Sequence, residues 1–131
     1  MIIKLDTVSA TPIYVQLRNQ IVMGIGMGTL KIGQGLPTVR QMAEDIGVNS
    51  MTVNKAYAIL KQEGYIEIDR RHGAKVNPKL DFSGEFREKI ESELVLLISE
   101  TSLKGVSYDE FMEICNGVFD RLNVSVAGGV V

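Results

Sequence analysis

Between Gly47 and Gly64 the stretch GVNSMTVNKAYAILKQEG places Asn49, Ser50, Thr52, Asn54 and Lys55 within two helical turns, with no acidic residue before Glu63. Amides and hydroxyls donate and accept hydrogen bonds, and an ammonium pairs with phosphate, so this chemistry suits reading a polyanion with polar edges. A second group, Arg70, Arg71 and His72, adjoins Gly73, a residue that lets backbone come close to another molecule. Bond-making chemistry finds no support. His72 is the single histidine and Cys115 the single cysteine. No Ser/His/Asp or Cys/His constellation can be assembled, no multi-cysteine or two-histidine metal site exists, and no paired carboxylates mark a pocket. An enzyme is not expected, and neither a metal nor a cofactor is implied.

These residues need elements to hold them. On a helical wheel Val53, Ala56, Tyr57 and Leu60 share one stripe, while Met51, Asn54, Lys55, Ala58 and Gln62 point away. The stripe predicts core contact, and the opposite face is left for a partner. Upstream, Thr38-Val39-Arg40-Gln41 has the form of a capping box, opening a helix with Val39, Met42, Ala43 and Ile46 on its apolar side and a stop at Gly47. Asn49 is the expected cap of the next helix. Two short helices joined by Gly47-Val48-Asn49 match helix-turn-helix spacing. An α-helix fits the major groove of B-DNA and presents its N-terminal residues to base edges, where carboxylates are disfavoured by the phosphates. After Gly64, YIEID alternates with Ile66 and Ile68 on one side, Arg70 to Gly73 form a tip, and AKVN is a return strand, giving a hairpin.

Earlier in the chain, Thr11-Pro12 reads as an N-cap followed by proline at the first helical position, with Tyr14, Leu17, Ile21 and Ile25 at helical spacing. Gly24, Gly26 and Gly28 end that helix and do not form a phosphate-binding fingerprint, because the spacing is wrong and no strand precedes them. TLKIGQGLP is irregular, with room for a short strand.

The 131 residues suffice for one ordinary domain or two small ones, and a 45% hydrophobic content for a compact core. The longest apolar run, Leu94 to Ile98, is far too short to cross a bilayer, and the N-terminus lacks the pattern of a signal peptide, so a cytoplasmic location is expected. The net charge of −2 conceals an asymmetry: residues 1–79 carry ten Lys and Arg against six Asp and Glu, residues 80–131 four against ten. The basic half suits an anion and the acidic half does not.

In that second half Phe86, Ile90, Leu94, Leu97 and Ile98 follow helical spacing. Ser107-Tyr108-Asp109-Glu110 offers a further capping box for a helix striped by Phe111, Ile114, Cys115, Val118, Phe119 and Leu122. Cys115 reads as a buried, inert thiol. Two helices lack the mutual area to hide both stripes, so a second copy of the chain is the economical partner, the other option being packing onto the first domain. NVSVAGGVV carries no helical pattern and reads as a loose tail.

The runs T11-P-I-Y-V-Q-L, G28-x-L-x-x-G33-x-x-L-P-T-V-R-Q-M-A-E-D-I-G-V-N and T52-V-x-K-A-Y-x-x-L-x-x-E-G-Y-I resemble the N-terminal DNA-binding domain of GntR-family bacterial transcription regulators across about Thr11 to Pro78. The resemblance implies a winged helix that binds operator DNA as a dimer. It places Arg40 on a DNA-contacting arginine, and Asn49, Ser50, Met51, Thr52 and Asn54 on recognition-helix contact positions. Arg70, Arg71, His72 and Gly73 fall on the wing. Ser50, Ile32 and Arg71 depart from the residues usual at their positions. The short acidic segment resembles the two-helix tail of the YtrA-like branch, whose members often control transporter genes, and no effector pocket is evident.

The expected fold is mainly α with a small β-hairpin: an N-terminal winged helix-turn-helix plus a C-terminal helical dimerisation segment. The expected domains are a DNA-binding domain over 11–79, a two-helix dimerisation domain over 80–124 and a flexible tail over 125–131. The expected function is a homodimeric transcription regulator, a repressor on a palindromic double-stranded DNA operator. Arg40 and Lys55 would anchor phosphates while Asn49, Ser50 and Asn54 approach bases. The competing expectation is a winged-helix module that binds an acidic protein partner instead of DNA.

Overall fold

The computed structural model describes residues 3–80 and 84–122. The tail expected over 125–131 lies outside the described residues. The chain divides near residue 80 into two compact units.

The first unit contains α1 (Ile13–Gly26), α2 (Val39–Ile46), α3 (Ser50–Gln62) and a hairpin of β1 (Ile66–Asp69) and β2 (Gly73–Val76). Its core follows the helical stripes: Leu17 and Ile21 from α1, Met42 and Ala43 from α2, and Val53, Ala56, Tyr57 and Leu60 from α3, closed by Leu30, Ile66, Ala74 and Val76. Gly24 is buried in α1 because Leu30 lies across it. A Cβ there would stand 3.2 Å from Leu30 Cδ1.

α1 begins one residue later than the sequence suggests. Pro12 occupies the flanking position without a side-chain cap, and Thr11 lies outside the helix. The N-terminal residues are held in another way. Gln16 and Gln20, one helical turn apart, turn their amides onto the preceding backbone. Gln16 accepts from Asp6 N–H at 2.8 Å and donates to the Asp6 and Thr11 carbonyls. Gln20 accepts from Lys4 N–H at 2.7 Å and donates to the Lys4 carbonyl. The two side chains thus act as backbone surrogates for a segment that has no strand partner of its own.

Two other expectations take a modified form. The stretch with room for a strand, 29–37, makes only an isolated bridge between Gly35 and Lys75. Even so, Gly33 N–H to Val76 O, Val76 N–H to Gln34 O and Leu36 N–H to Ala74 O stitch it along β2. Pro37 lacks a ladder donor and stops any extension. In the hairpin, Ile66 pairs with Val76 and Ile68 with Ala74. Ile66 is fully buried, whereas Ile68, on the same strand face, is half exposed although its partner Ala74 reaches the core.

The second unit holds α4 (Gly84–Leu103) and α5 (Tyr108–Leu122). The Ser107 hydroxyl caps α5 by accepting from Glu110 N–H at 3.1 Å. Neither helix has a buried residue. Val95 is 67% and Leu96 64% exposed, and Phe86, Ile90, Leu94, Leu97, Ile98, Ile114 and Phe119 are also open. Cys115 is half-buried and not buried as its helical stripe suggested, since this unit closes no core within one chain.

Candidate nucleic-acid interface

The turn between α2 and α3 is built from backbone satisfaction. Thr38 Oγ1 accepts from Gln41 N–H at 3.0 Å and starts α2. The reciprocal half of the box is replaced: the Gln41 amide reaches forward to Asp45 Oδ1 at 2.7 Å. Gly47 takes φ of 73°, and its N–H and that of Val48 both bond to the Ala43 carbonyl. A side chain at this left-handed position would be strained. The chain then passes through Val48 and Asn49 into α3.

Asn49 caps α3. Its Oδ1 accepts from Thr52 N–H at 2.8 Å and from the Thr52 hydroxyl at 3.0 Å. The Asn49 carbonyl oxygen is therefore occupied within the helix start, leaving its amide N–H groups as its outward function. Ser50, Met51 and Asn54 are exposed, Met51 at 80%, and the first turn carries no acid. Tyr57 fixes the inner face. Its hydroxyl donates to the Pro37 carbonyl at 2.8 Å, tying α3 to the entry of α2, and burial pushes its pKa up to about 12.

Arg40 stands exposed in the first turn of α2, and among the described residues no ion pair engages it. Lys55 is turned toward α1, with Nζ 4.0 Å from the centre of the Tyr14 ring. Between α3 and the hairpin lies a groove of about 360 Å³, lined by Thr38, Asn54, Lys61, Ile68 and Gly73 among others. The groove accounts for Ile68, which faces it instead of the core.

The hairpin tip is organised by an acid that sequence reading passed over. Asp69 Oδ1 accepts from Arg71 N–H at 2.7 Å, and Asp69 Oδ2 meets His72 Nδ1 at 3.0 Å. The His72 hydrogen bond, followed by the Arg71 N–H, holds the Asp69 carboxyl below its ordinary pKa. The carboxylate therefore holds its charge to lower pH than an isolated aspartate. Gly73 follows with φ of 72°. Arg70, Arg71 and His72 are exposed. Behind them, Lys75 pairs with Glu67 across the strands at 3.2 Å.

The first unit thus carries Asn49, Ser50, Met51, Thr52 and Asn54 on the cap and first turns of α3, Arg40 in the first turn of α2, and Arg70 to Gly73 at the hairpin tip. Lys55 is set apart from them, on Tyr14. Sequence reading gave Tyr14 only as helical spacing, and Tyr57 only as core. The readable signal for Asp69 was an Asp placed just before a tight turn.

Two helices across a glycine turn, with a basic hairpin beside the second, define a winged helix-turn-helix. Residues 13–76 match the profile described as "Bacterial regulatory proteins, gntR family". The chain is 35% identical to the HTH-type transcriptional repressor YtrA of Bacillus subtilis (strain 168), with 85% of this chain and 87% of that protein covered. A solved structure described as YtrA from Sulfolobus acidocaldarius, a GntR-family transcription factor, superposes with a TM-score of 0.66 at 36% identity. It covers 76% of this chain and 99% of that one. A transcriptional antiterminator from Listeria monocytogenes EGD-e has a TM-score of 0.86 at 25% identity, covering 93% and 92%. The chain belongs to the GntR family, in its YtrA-like branch, and is a DNA-binding transcription regulator, not an enzyme. Among the described residues no helix is long and apolar enough to cross a membrane.

Proposed function

We propose that the protein is a cytoplasmic, homodimeric repressor that reads a roughly palindromic operator with one α3 from each protomer in successive major grooves. The observation that carries the reading is the start of α3: a polar, acid-free and exposed surface whose backbone is fixed by Asn49 and whose inner face is fixed by Tyr57. In this reading Arg40 and Lys55 contact phosphates, Ser50 and Asn54 meet base edges, and Asn49 and Thr52 reach the DNA through the groups their mutual hydrogen bonds leave free. Met51 presents only a thioether and a methyl group, and the base feature that fits them is the C5-methyl of thymine. Arg70, Arg71, His72 and Gly73 follow the backbone or enter the minor groove.

Dimerisation is supported by the apolar surface of α4 and α5, where Phe86, Ile90, Leu94, Leu97, Ile98, Phe111, Ile114, Val118 and Phe119 lack a core to enter. Two-fold symmetry would match two half-sites one helical turn, about 34–36 Å, or multiples of that apart. Repression follows the description of the Bacillus relative, and a transporter operon as target follows the branch resemblance. In this reading DNA binding is assigned to residues 11–79 and dimerisation to 80–124.

Selection of bound duplexes from a random pool tests the reading. An inverted repeat with A·T-containing half-sites is the expected product, and affinity for it should fall steeply with salt as counterions are released. Failure to enrich any duplex at low ionic strength would favour a protein-binding module instead.

A further inference from the structure

We infer that Tyr14 of α1 is a positioning residue for DNA binding, acting by holding the Lys55 ammonium against its ring so that the charge is preset for a phosphate. This rests on the reading of α3 as the recognition helix. The observation is specific. Lys55 Nζ lies 4.0 Å from the Tyr14 ring centre, while Lys55 itself remains exposed and, among the described residues, meets no carboxylate.

Other cations of this unit are arranged differently. Arg18 pairs with Glu63 at 2.9 Å and lies over Tyr65, 19% exposed, and so serves the packing of α1 against the end of α3. Lys75 pairs with Glu67. Lys55 has an aromatic face where these have an acid. That difference has a physical consequence. A carboxylate would neutralise the ammonium and compete with phosphate, whereas a ring quadrupole restrains the side chain and leaves its full charge available. A lysine normally loses considerable rotamer freedom on contacting a phosphate, and restraint before binding lowers that cost. Tyr14 is itself half-buried against the core, so the ring is a fixed platform. The residues that set DNA affinity therefore extend beyond the helix-turn-helix and wing to the second residue of α1, which acts through Lys55 and not by touching DNA.

The test is a double-mutant cycle in the full chain, read as duplex affinity across a salt series, with thermal melts checking that each variant folds. Lys55→Gln should lower the slope of log affinity against log salt by about 0.9, the value for one phosphate. Tyr14→Leu should weaken binding by about two- to fivefold, Tyr14→Phe should match the unaltered protein, and Tyr14→Leu should add nothing in the Lys55→Gln background. No change in slope with Lys55→Gln would overturn the phosphate assignment of Lys55 itself. A changed slope with a full, additive Tyr14→Leu penalty would leave that assignment intact and overturn the positioning role. Loss of affinity in Tyr14→Phe would overturn it too, by giving the hydroxyl a contact of its own. Should Tyr14→Leu fail to fold, the Phe variant together with Lys55→Arg decides, because a guanidinium also stacks on the ring and should retain affinity.

Discussion

Asn49 and Asn54 are the same residue type five positions apart, yet the structure gives them different work. Asn49 has its oxygen committed to Thr52, while Asn54 is exposed on the face that borders the groove next to the wing. An uncommitted amide can pair with adenine through two hydrogen bonds. Asn54→Ala is thus expected to relax preference at one base pair by ~1–3 kcal/mol, and Arg40→Ala to weaken binding on matched and scrambled duplexes alike. Competition titrations at fixed salt separate the two patterns. Met51 gives a sharper test. Replacing the contacted thymine by deoxyuridine removes only a methyl group, so it should lower the affinity of the unaltered protein and leave that of Met51→Ala unchanged. Equal loss in both proteins would remove Met51 from that contact. These residue types were legible in the sequence. So was the Asn49 cap; that the same oxygen also takes the Thr52 hydroxyl while Asn54 stays uncommitted was not, because it depends on the side-chain arrangement of the folded helix.

At the scale of elements, the α2–α3 turn depends on a few local interactions. Asn49→Ala removes the acceptor for Thr52 N–H and should lower unfolding free energy by about 0.5–2 kcal/mol, measured by urea titration. Tyr57 contributes in another way. Burial raises its pKa from 10.0 to about 12, so the folded state holds the phenolic proton more tightly than the unfolded chain does. This contribution is complete below pH 10 and is lost as pH rises toward 12. A shift of this size corresponds to a few kcal/mol at most. The stability of the unaltered protein should therefore fall across that window relative to that of Tyr57→Phe, whose own cost at neutral pH is the lost bond to Pro37, about 0.5–1.5 kcal/mol. Parallel pH curves for the two would contradict the assignment. Element types and order could be read from periodicity and caps, as the stripe Val53, Ala56, Tyr57 and Leu60 shows. What stayed illegible was nonlocal: the Gln16 and Gln20 clamp on the N-terminal backbone, the reduction of 29–37 to one bridge, and the Pro37 partner of Tyr57. Each joins residues that no local pattern relates.

For the whole molecule, the decisive contrast is between a first unit that closes its own core and a second whose two helices bury no residue in a single chain. Apolar stripes were evident from spacing, but what covers them is a property of the assembly. A dimer through α4 and α5 would also account for the charge division, keeping an acidic module off the DNA while the basic halves engage it. Substituting Leu94 and Leu97 together by Glu should dissociate such a dimer, as measured by sedimentation, and lower operator affinity far more than half-site affinity. The most direct measurement is a titration of the selected full operator and of its isolated half-site at several salt concentrations, with mass determined for each complex. Two protomers on the full site, one or none on the half-site, and affinity falling steeply with salt are the results expected here. A single protomer bound with equal affinity to both duplexes, or binding indifferent to ionic strength, would contradict the account.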